Sequence, residues 1–148
     1  MQRLKTRDQF QAVLSGGTVA RTPHFALHRA ALDALTTKPD DLQRRVASVR
    51  PLFAQRQVWL GAMVPKRWAR RAVTRNAIKR EIYTVSNYFE SALPVAAHVV
   101  RLRAAFDRTQ FVSAASILLR AAVRQELQGL FAKATVPPEV HARLDGAK

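Results

Sequence analysis

The sequence predicts an α+β fold in which a small β-sheet packs against amphipathic helices. Three short segments have the composition of strands, at 24–28, 58–64 and 97–102. Two longer segments repeat apolar residues at helical spacing, at 72–89 and 109–133. Because alternation with a period of two indicates strands and spacings of three and four indicate helices, both kinds of element should share one core.

The N-terminal segment predicts a short helix. Thr6 and Gln9 form a capping-box pattern at its start, and Gly16 with Gly17 ends it. Phenylalanines at helical or strand spacing usually belong to the core. Phe10 is the exception: because this helix is short and basic, we expect Phe10 to form one wall of a groove.

The strand at 24–28 should have two different faces. Phe25 and Leu27 alternate onto one face, and His28 belongs to the other, which is either solvated or lines a groove. A second strand follows at 58–64, ends at Pro65, and leads directly into the helix at 72–89.

The segment from about 34 to 56 has no sustained helix or strand period and predicts a long connection. With 148 residues, of which 48% are hydrophobic, the chain can bury one core. We therefore expect a single domain over 1–131, which includes this connection, and a C-terminal tail over 132–148 that contains two adjacent prolines.

The charge of the chain predicts a polyanionic partner. It has 25 Lys and Arg against 10 Asp and Glu, a formal net charge of +15. Self-repulsion on this scale destabilises a compact monomer, and phosphate is the natural counter-charge.

No cysteine is present, which excludes disulfides, thiolate metal sites and thiol nucleophiles. Because no long apolar run or signal sequence is seen, we expect a cytoplasmic protein without a membrane partner.

The stretch from Lys66 to Arg80 has seven basic residues in fifteen positions and no acidic one. If this stretch continues as a helix, its polar residues share one sector of the helix surface. Ile78 and the following Ile82 and Val85 form an apolar stripe on another sector. A solvated charged face is the commoner explanation of such a run, but those faces usually intersperse Glu with Lys. The lack of acids favours a nucleic-acid surface.

The residues do not predict a catalytic site of the protein's own. The four histidines occur in three separate segments, and His24 and His28 would lie about 13 Å apart on one strand, too far to share a metal. No zinc-protease, serine-hydrolase or phosphate-loop motif is present. We therefore expect no catalytic residues, no metal ligands and no small-molecule substrate.

The motifs in this sequence resemble the protein component of bacterial ribonuclease P. The resemblance covers about 3–31 and 58–125, leaving out the connection and the tail. It is carried by Arg3-Leu4-Lys5 before Phe10 and Val13, Thr22-Pro23-His24-Phe25, Leu60-Gly61, Val64-Pro65-Lys66-Arg67, and Ala69-Arg70-Arg71-Ala72 leading to Arg75-Asn76-Ala77-Ile78-Lys79-Arg80.

The resemblance implies a fold and a division of labour. The fold is a small α/β sandwich, like a domain of a ribosomal protein, with a left-handed βαβ crossover; elementary sheet physics would have predicted the right hand. The protein would bind the catalytic RNA and the 5′ leader of precursor tRNA, and assist removal of the leader. The RNA would perform the cleavage with Mg²⁺ that it mainly holds itself.

The resemblance also implies two groups of site residues. Those expected to contact or organise the catalytic RNA are Lys66, Arg67, Arg70, Arg71, Arg75, Asn76, Lys79 and Arg80. Those expected in the leader groove are Phe10, Leu14 and His28, where relatives often have aromatic rings; for His28, a plain surface residue is an equally good interpretation. Ala77 departs from the family motif, which has a second arginine at this position. The RNA contact of that arginine is therefore absent here, or it comes from Arg70, Arg71 or another neighbour.

Other functions fit parts of the pattern. A structural protein that binds ribosomal RNA would use the same charge and fold, and it would not affect tRNA maturation. A DNA-binding module is weaker, because no second helix closely precedes the basic one. A protein-only nuclease would need clustered carboxylates to hold metal. Four arginines in the connection could add RNA contacts: Arg44, Arg45, Arg50 and Arg56. The interpretation that we favour for this segment is a disordered loop.

Overall fold

The computed structural model describes residues 1–32, 53, 56–107 and 117–135. The elements in chain order are β1 (Gln2–Arg3), α1 (Arg7–Ser15), β2 (Thr18–Arg21), β3 (Phe25–Ala30), β4 (Trp59–Met63), α2 (Ala72–Phe89), β5 (Ala97–Leu102) and α3 (Ile117–Thr135). A short 3₁₀ turn over Glu90–Ala92 follows α2. The predicted α+β class is confirmed.

The five strands form one mixed sheet in the order β1-β4-β5-β3-β2. β1, β4 and β5 are parallel neighbours, while β3 pairs antiparallel with both β5 and β2. Since α2 joins the parallel neighbours β4 and β5, the chain makes a βαβ crossover between them. The left-handed sense of this crossover, which the resemblance implies, stays a prediction.

Strand alternation sorts the buried residues onto the two faces of the sheet. Leu27, Leu60 and Val100 belong to the larger core cluster, which contains the apolar sides of α2 and α3. Trp59 and Val99 belong to a smaller cluster, against which Phe10 and the rest of the apolar side of α1 pack. The sheet is therefore covered by α2 and α3 on one face and by α1 on the other, which is an α/β sandwich.

The helix ends agree closely with the local signals. At the start of α1, the Gln9 backbone N–H donates to Thr6 Oγ1 at 3.2 Å, and the Gln9 side chain reaches back to the Thr6 N–H at 3.1 Å, which completes the predicted capping box. Gly17, just after this helix, has a φ of 107°, a value that glycine adopts readily.

The short edge strands β1 and β2 were not predicted, because two and four residues give too little periodicity. α3 continues to Thr135, two residues beyond the predicted end, and its predicted start at 109 lies outside the described residues. Arg44, Arg45, Arg50 and residues 136–148 of the predicted tail also lie outside them. None of the described helices is long and apolar enough to cross a membrane.

Candidate nucleic-acid interface

α2 is anchored by one face and presents the other. Ile78, Ile82 and Val85 are almost completely buried against the sheet and α3. The opposite face and the loop before the helix carry seven of the eight residues expected at the RNA, and all seven are exposed: Lys66, Arg67, Arg70, Arg71, Asn76, Lys79 and Arg80. The structure thus brings these side chains onto one continuous basic surface, which we call the basic face.

Arg75, the eighth residue, organises this surface rather than standing free on it. Its Nη1 donates to the backbone oxygens of Ala69 and Arg70, at 3.0 and 2.7 Å. The same loop is closed by the N–H groups of Trp68 and Ala69, which both donate to the Pro65 oxygen at 3.1 Å. Arg75 therefore holds the loop that presents Arg70 next to the helix.

Arg3 extends the basic face toward the sheet edge. Its guanidinium carbon lies 3.9 Å from the centroid of the Tyr83 ring, which is a cation–π contact. Tyr83 is partly buried against the larger core, so it provides a platform for Arg3. Sequence reasoning missed Arg3, because only the parallel pairing of β1 with β4 brings it next to α2.

On the other face of the sheet, α1 covers only one end of the strands. The ring of Phe10 lies over Gly61 of β4, where an added Cβ would be 2.6 Å from Phe10 Cε1. The C-terminal end of α1 lies over β3, where a Cβ on Gly16 would be 2.6 Å from the Cβ of Ala30. No other described helix covers this face, so in the described part of the chain the C-terminal ends of β4 and β5 and the start of β3 form the floor of a groove.

The floor of this groove contains two arginines that were not among the predicted site residues. Ala26 on β3 pairs with Arg101 on β5 and with Arg21 on β2, and Arg101 pairs with Met63 on β4. Paired residues point to the same face, so both arginines flank Ala26 on the α1 side. Strand alternation could have indicated Arg101, but the register that adds Arg21 appears only in the folded sheet.

His28 lies in the next row of the floor. Its Nδ1 is 3.3 Å from Thr18 Oγ1, and its Nε2 is buried without a hydrogen-bond partner among the described residues. Burial lowers the pKa of His28, and the positive charges of Arg101 and Arg21 lower it further. The Nε of Arg101 is likewise buried without a partner in the described part of the chain. The Nε of Arg101 is a donor, and the Nε2 of His28 is a donor or an acceptor according to its tautomer.

The three predicted groove residues do share this face, at different depths. Phe10 and Leu14 are partly buried and pack against the smaller core cluster, so only their outer edges reach the groove. His28 is 7% exposed, which places it in the floor. Phe10 is therefore both a core residue and part of the groove wall. His24 precedes the strand and bonds to Glu126 of α3 instead of lining the face of His28.

Three of the described acidic residues are already paired with other groups of the protein. Within the described ranges, no group of three or more His, Asp or Glu side chains comes together. Glu81 is held by Arg124, Glu126 accepts from Thr22 and His24, and Glu90 pairs with the amino group of Met1. Carboxylates with such partners are poorly placed to become ligands of Mg²⁺.

Comparison with known proteins gives a consistent result. Residues 1–135 match the family model described as Ribonuclease P. The chain is 29% identical over 135 residues to the ribonuclease P protein component of Ralstonia pickettii, which covers 91% of this chain and 80% of that protein. It is 31% identical over 131 residues to the ribonuclease P protein component of Bordetella parapertussis, with 88% and 89% covered.

Solved structures show the same fold at lower identity. The Staphylococcus aureus RNase P protein has a TM-score of 0.60 and 18% identity, covering 92% of this chain and 99% of that one. A mutant of that protein with defective mRNA degradation activity has a TM-score of 0.58 and 18% identity, covering 91% and 89%. At this identity the likeness concerns the arrangement of helices and strands.

Proposed function

Because the chain belongs to the ribonuclease P protein family, we propose that it is the protein subunit that binds ribonuclease P RNA and the 5′ leader of precursor tRNA. The observation that carries this proposal is the basic face. Lys79 and Arg80 stand on a helix that the core holds rigidly, and the other exposed cations stand on the loop before it. The stretch from Lys66 to Arg80 contains no acid to screen them. This arrangement suits the phosphate backbone of a folded RNA.

Binding to the RNA subunit would be mainly electrostatic. Each phosphate that a Lys or Arg neutralises releases condensed counterions, and this steepens the log–log dependence of affinity on salt by about 0.7 to 0.9. Six or so contacts would make affinity fall steeply between low and high salt. The loop held by Arg75 adds orientation, since its fixed carbonyls keep the basic side chains in one arrangement.

The leader of precursor tRNA would lie in the groove beside α1. Arg21 and Arg101 supply charge for the backbone, and the edge of the Phe10 ring offers a surface for a base. The unpartnered Nε of Arg101 supports this placement, because an unpaired buried donor costs about 1–3 kcal/mol that an RNA acceptor would recover. The Nε2 of His28 donates or accepts according to its tautomer. Leu14 offers no ring, so stacking would depend on Phe10.

In this proposal the RNA subunit carries out the hydrolysis that matures the 5′ end of tRNA. Mg²⁺ would be held mainly by the RNA, and this chain would supply no catalytic residue. Its role is to bind and orient the precursor relative to the catalytic RNA. Such a function belongs in the cytoplasm, where the transcripts are.

The test is cleavage of a precursor tRNA at low Mg²⁺ by bacterial ribonuclease P RNA, with and without the protein, alongside the protein alone. We expect stimulation only when the RNA is present. Cleavage by the protein alone would overturn the division of labour. No stimulation under any condition would favour the structural role on ribosomal RNA.

A second comparison separates the groove from the basic face. Precursors with a long leader and with a one-nucleotide leader are cleaved by the reconstituted enzyme, using the unsubstituted protein and Arg101→Ala. We expect Arg101→Ala to weaken binding of the long-leader precursor only, because the short one does not reach the groove. Equal weakening of both would place the leader elsewhere.

A further inference from the structure

The basic face of α2 has an uncharged gap on the side toward α3. At about 100° per residue, Ala77 lies one turn before Glu81 on the same flank of the helix, whereas Lys79 and Arg80 point to solvent. Ala77 is partly exposed, so the gap opens to the surface. An RNA strand that crosses the basic face would meet only a methyl group there.

The packing of α2 against α3 determines which side chain stands level with this gap. Glu81 accepts two hydrogen bonds from Arg124, at 2.9 Å from Nε and 3.1 Å from Nη2. About two turns further along both helices, the rings of Phe89 and Phe131 stack with centroids 5.6 Å apart. Since both contacts advance in the same direction along the two chains, α2 and α3 run parallel.

This register places Arg120 beside Ala77. Arg120 lies one turn before Arg124 on α3, as Ala77 lies one turn before Glu81 on α2. A cleft of about 150 Å³ separates the helices here and is lined by Glu81, Ile117, Arg120, Ala121 and Arg124. Arg120 therefore stands level with the gap, on the α3 side of the cleft.

The charges of the cleft leave one cation available. Glu81 is the acidic residue that lines the cleft, and both of its carboxylate oxygens accept from Arg124. These hydrogen bonds raise the pKa of the Arg124 guanidinium. Arg120 is exposed and forms no hydrogen bond or ion pair with any residue that the structure describes. A guanidinium in this situation can form two parallel hydrogen bonds to phosphate oxygens.

We propose that Arg120 binds a backbone phosphate of the ribonuclease P RNA next to Ala77, and so extends the RNA-binding surface from α2 onto α3. The proposal rests on the RNA-binding function argued above. It assigns the missing charge at Ala77 to α3 rather than to Arg70 or Arg71, which lie before the helix on the loop that Arg75 holds.

The test is the salt dependence of binding between the full-length protein and the ribonuclease P RNA. Arg120→Ala should weaken binding roughly threefold to tenfold at about 0.15 M salt and lower the log–log slope by about 0.7 to 0.9. Lys133→Ala is the matched control on α3, with the same loss of charge about 20 Å away, which is more than two Debye lengths at this salt concentration. It should leave the affinity within about twofold.

A charge swap tests the position itself. The double variant Ala77→Arg with Arg120→Ala should restore affinity and slope, because it moves the guanidinium across the cleft. If Arg120→Ala binds like the unsubstituted protein while Lys79→Ala is weaker, the inference about Arg120 is wrong and RNA binding by the basic face stands. A loss that the swap does not restore also contradicts it. If the unsubstituted protein shows no salt-dependent binding, the proposed function itself fails.

Discussion

The ring of Phe10 lies directly over Gly61, so closely that a Cβ on this glycine would be 2.6 Å from Phe10 Cε1 and 2.8 Å from Cζ. The contact joins α1 to the β4 strand and determines how far the helix covers the sheet. Because the groove begins where α1 ends, this contact sets the position of the groove wall.

Gly61→Ala should therefore displace Phe10 and lower the free energy of unfolding by about 1–3 kcal/mol, as overpacking does. Urea denaturation measures this change, and the same variant should bind long-leader precursors more weakly. Gly129→Ala is the matched control: Gly129 is exposed on α3 with nothing within 4 Å of an added Cβ, so it should be neutral or stabilising by up to about 1 kcal/mol. Equal effects of the two substitutions would contradict the close contact.

Arg75 should not tolerate replacement by lysine. Its Nη1 holds two backbone oxygens at once, and an ammonium group on a flexible stem does not reproduce that geometry. We expect Arg75→Lys to lose nearly as much affinity for ribonuclease P RNA as Arg75→Ala. Lys79→Arg, an exposed charge-preserving change on the same helix, should stay close to the unsubstituted protein. Anisotropy titrations at fixed salt give the four values, and full rescue by lysine would show that Arg75 acts as a point charge.

The pKa of His28 should rise when a precursor leader binds. In the free protein, burial and the nearby Arg101 and Arg21 lower it. A phosphate that approaches both arginines would offset their repulsion and favour the protonated ring. Titration of the His28 ring protons by NMR, with and without a leader oligonucleotide, measures the shift. An unchanged pKa in the saturated complex would place the leader away from this floor.

His98 predicts a loss of stability in acid. Its Nδ1 lies 3.3 Å from Arg29 Nε and its Nε2 3.2 Å from the Pro94 oxygen, and burial lowers the pKa of His98 to about 4 from 6.5. Between these two pKa values the unfolded chain binds a proton that the folded chain does not. The contribution of His98 to the free energy of unfolding therefore rises with pH up to about 6.5 and is constant above it. The full effect is of order 3 kcal/mol.

His98→Gln removes this titration and is the variant for the measurement. Urea unfolding at about pH 4.5 and about pH 7.5 should show a smaller difference for His98→Gln than for the unsubstituted protein, although the variant is less stable at the higher pH because Arg29 and Pro94 lose a partner. The same pH dependence in both proteins would mean that His98 is not the group responsible.

The sequence by itself determined the elements with strong local signals. The bounds predicted for α2 and β5 coincide with those observed, because an apolar stripe at spacings of three and four, and a run of strand-forming residues, hardly depend on their neighbours. The capping box of α1 is equally local. The acid-free basic stretch also indicated a nucleic-acid surface, since charge composition is visible without a fold.

Only the tertiary structure decided which distant residues share a surface. Strand register brings Arg21 and Arg101 together on either side of Ala26, and parallel packing of α2 and α3 sets Arg120 level with Ala77. These relationships depend on pairing between segments far apart in the chain, for which periodicity contains no information, because it reports the face on which a residue lies and not what lies opposite it.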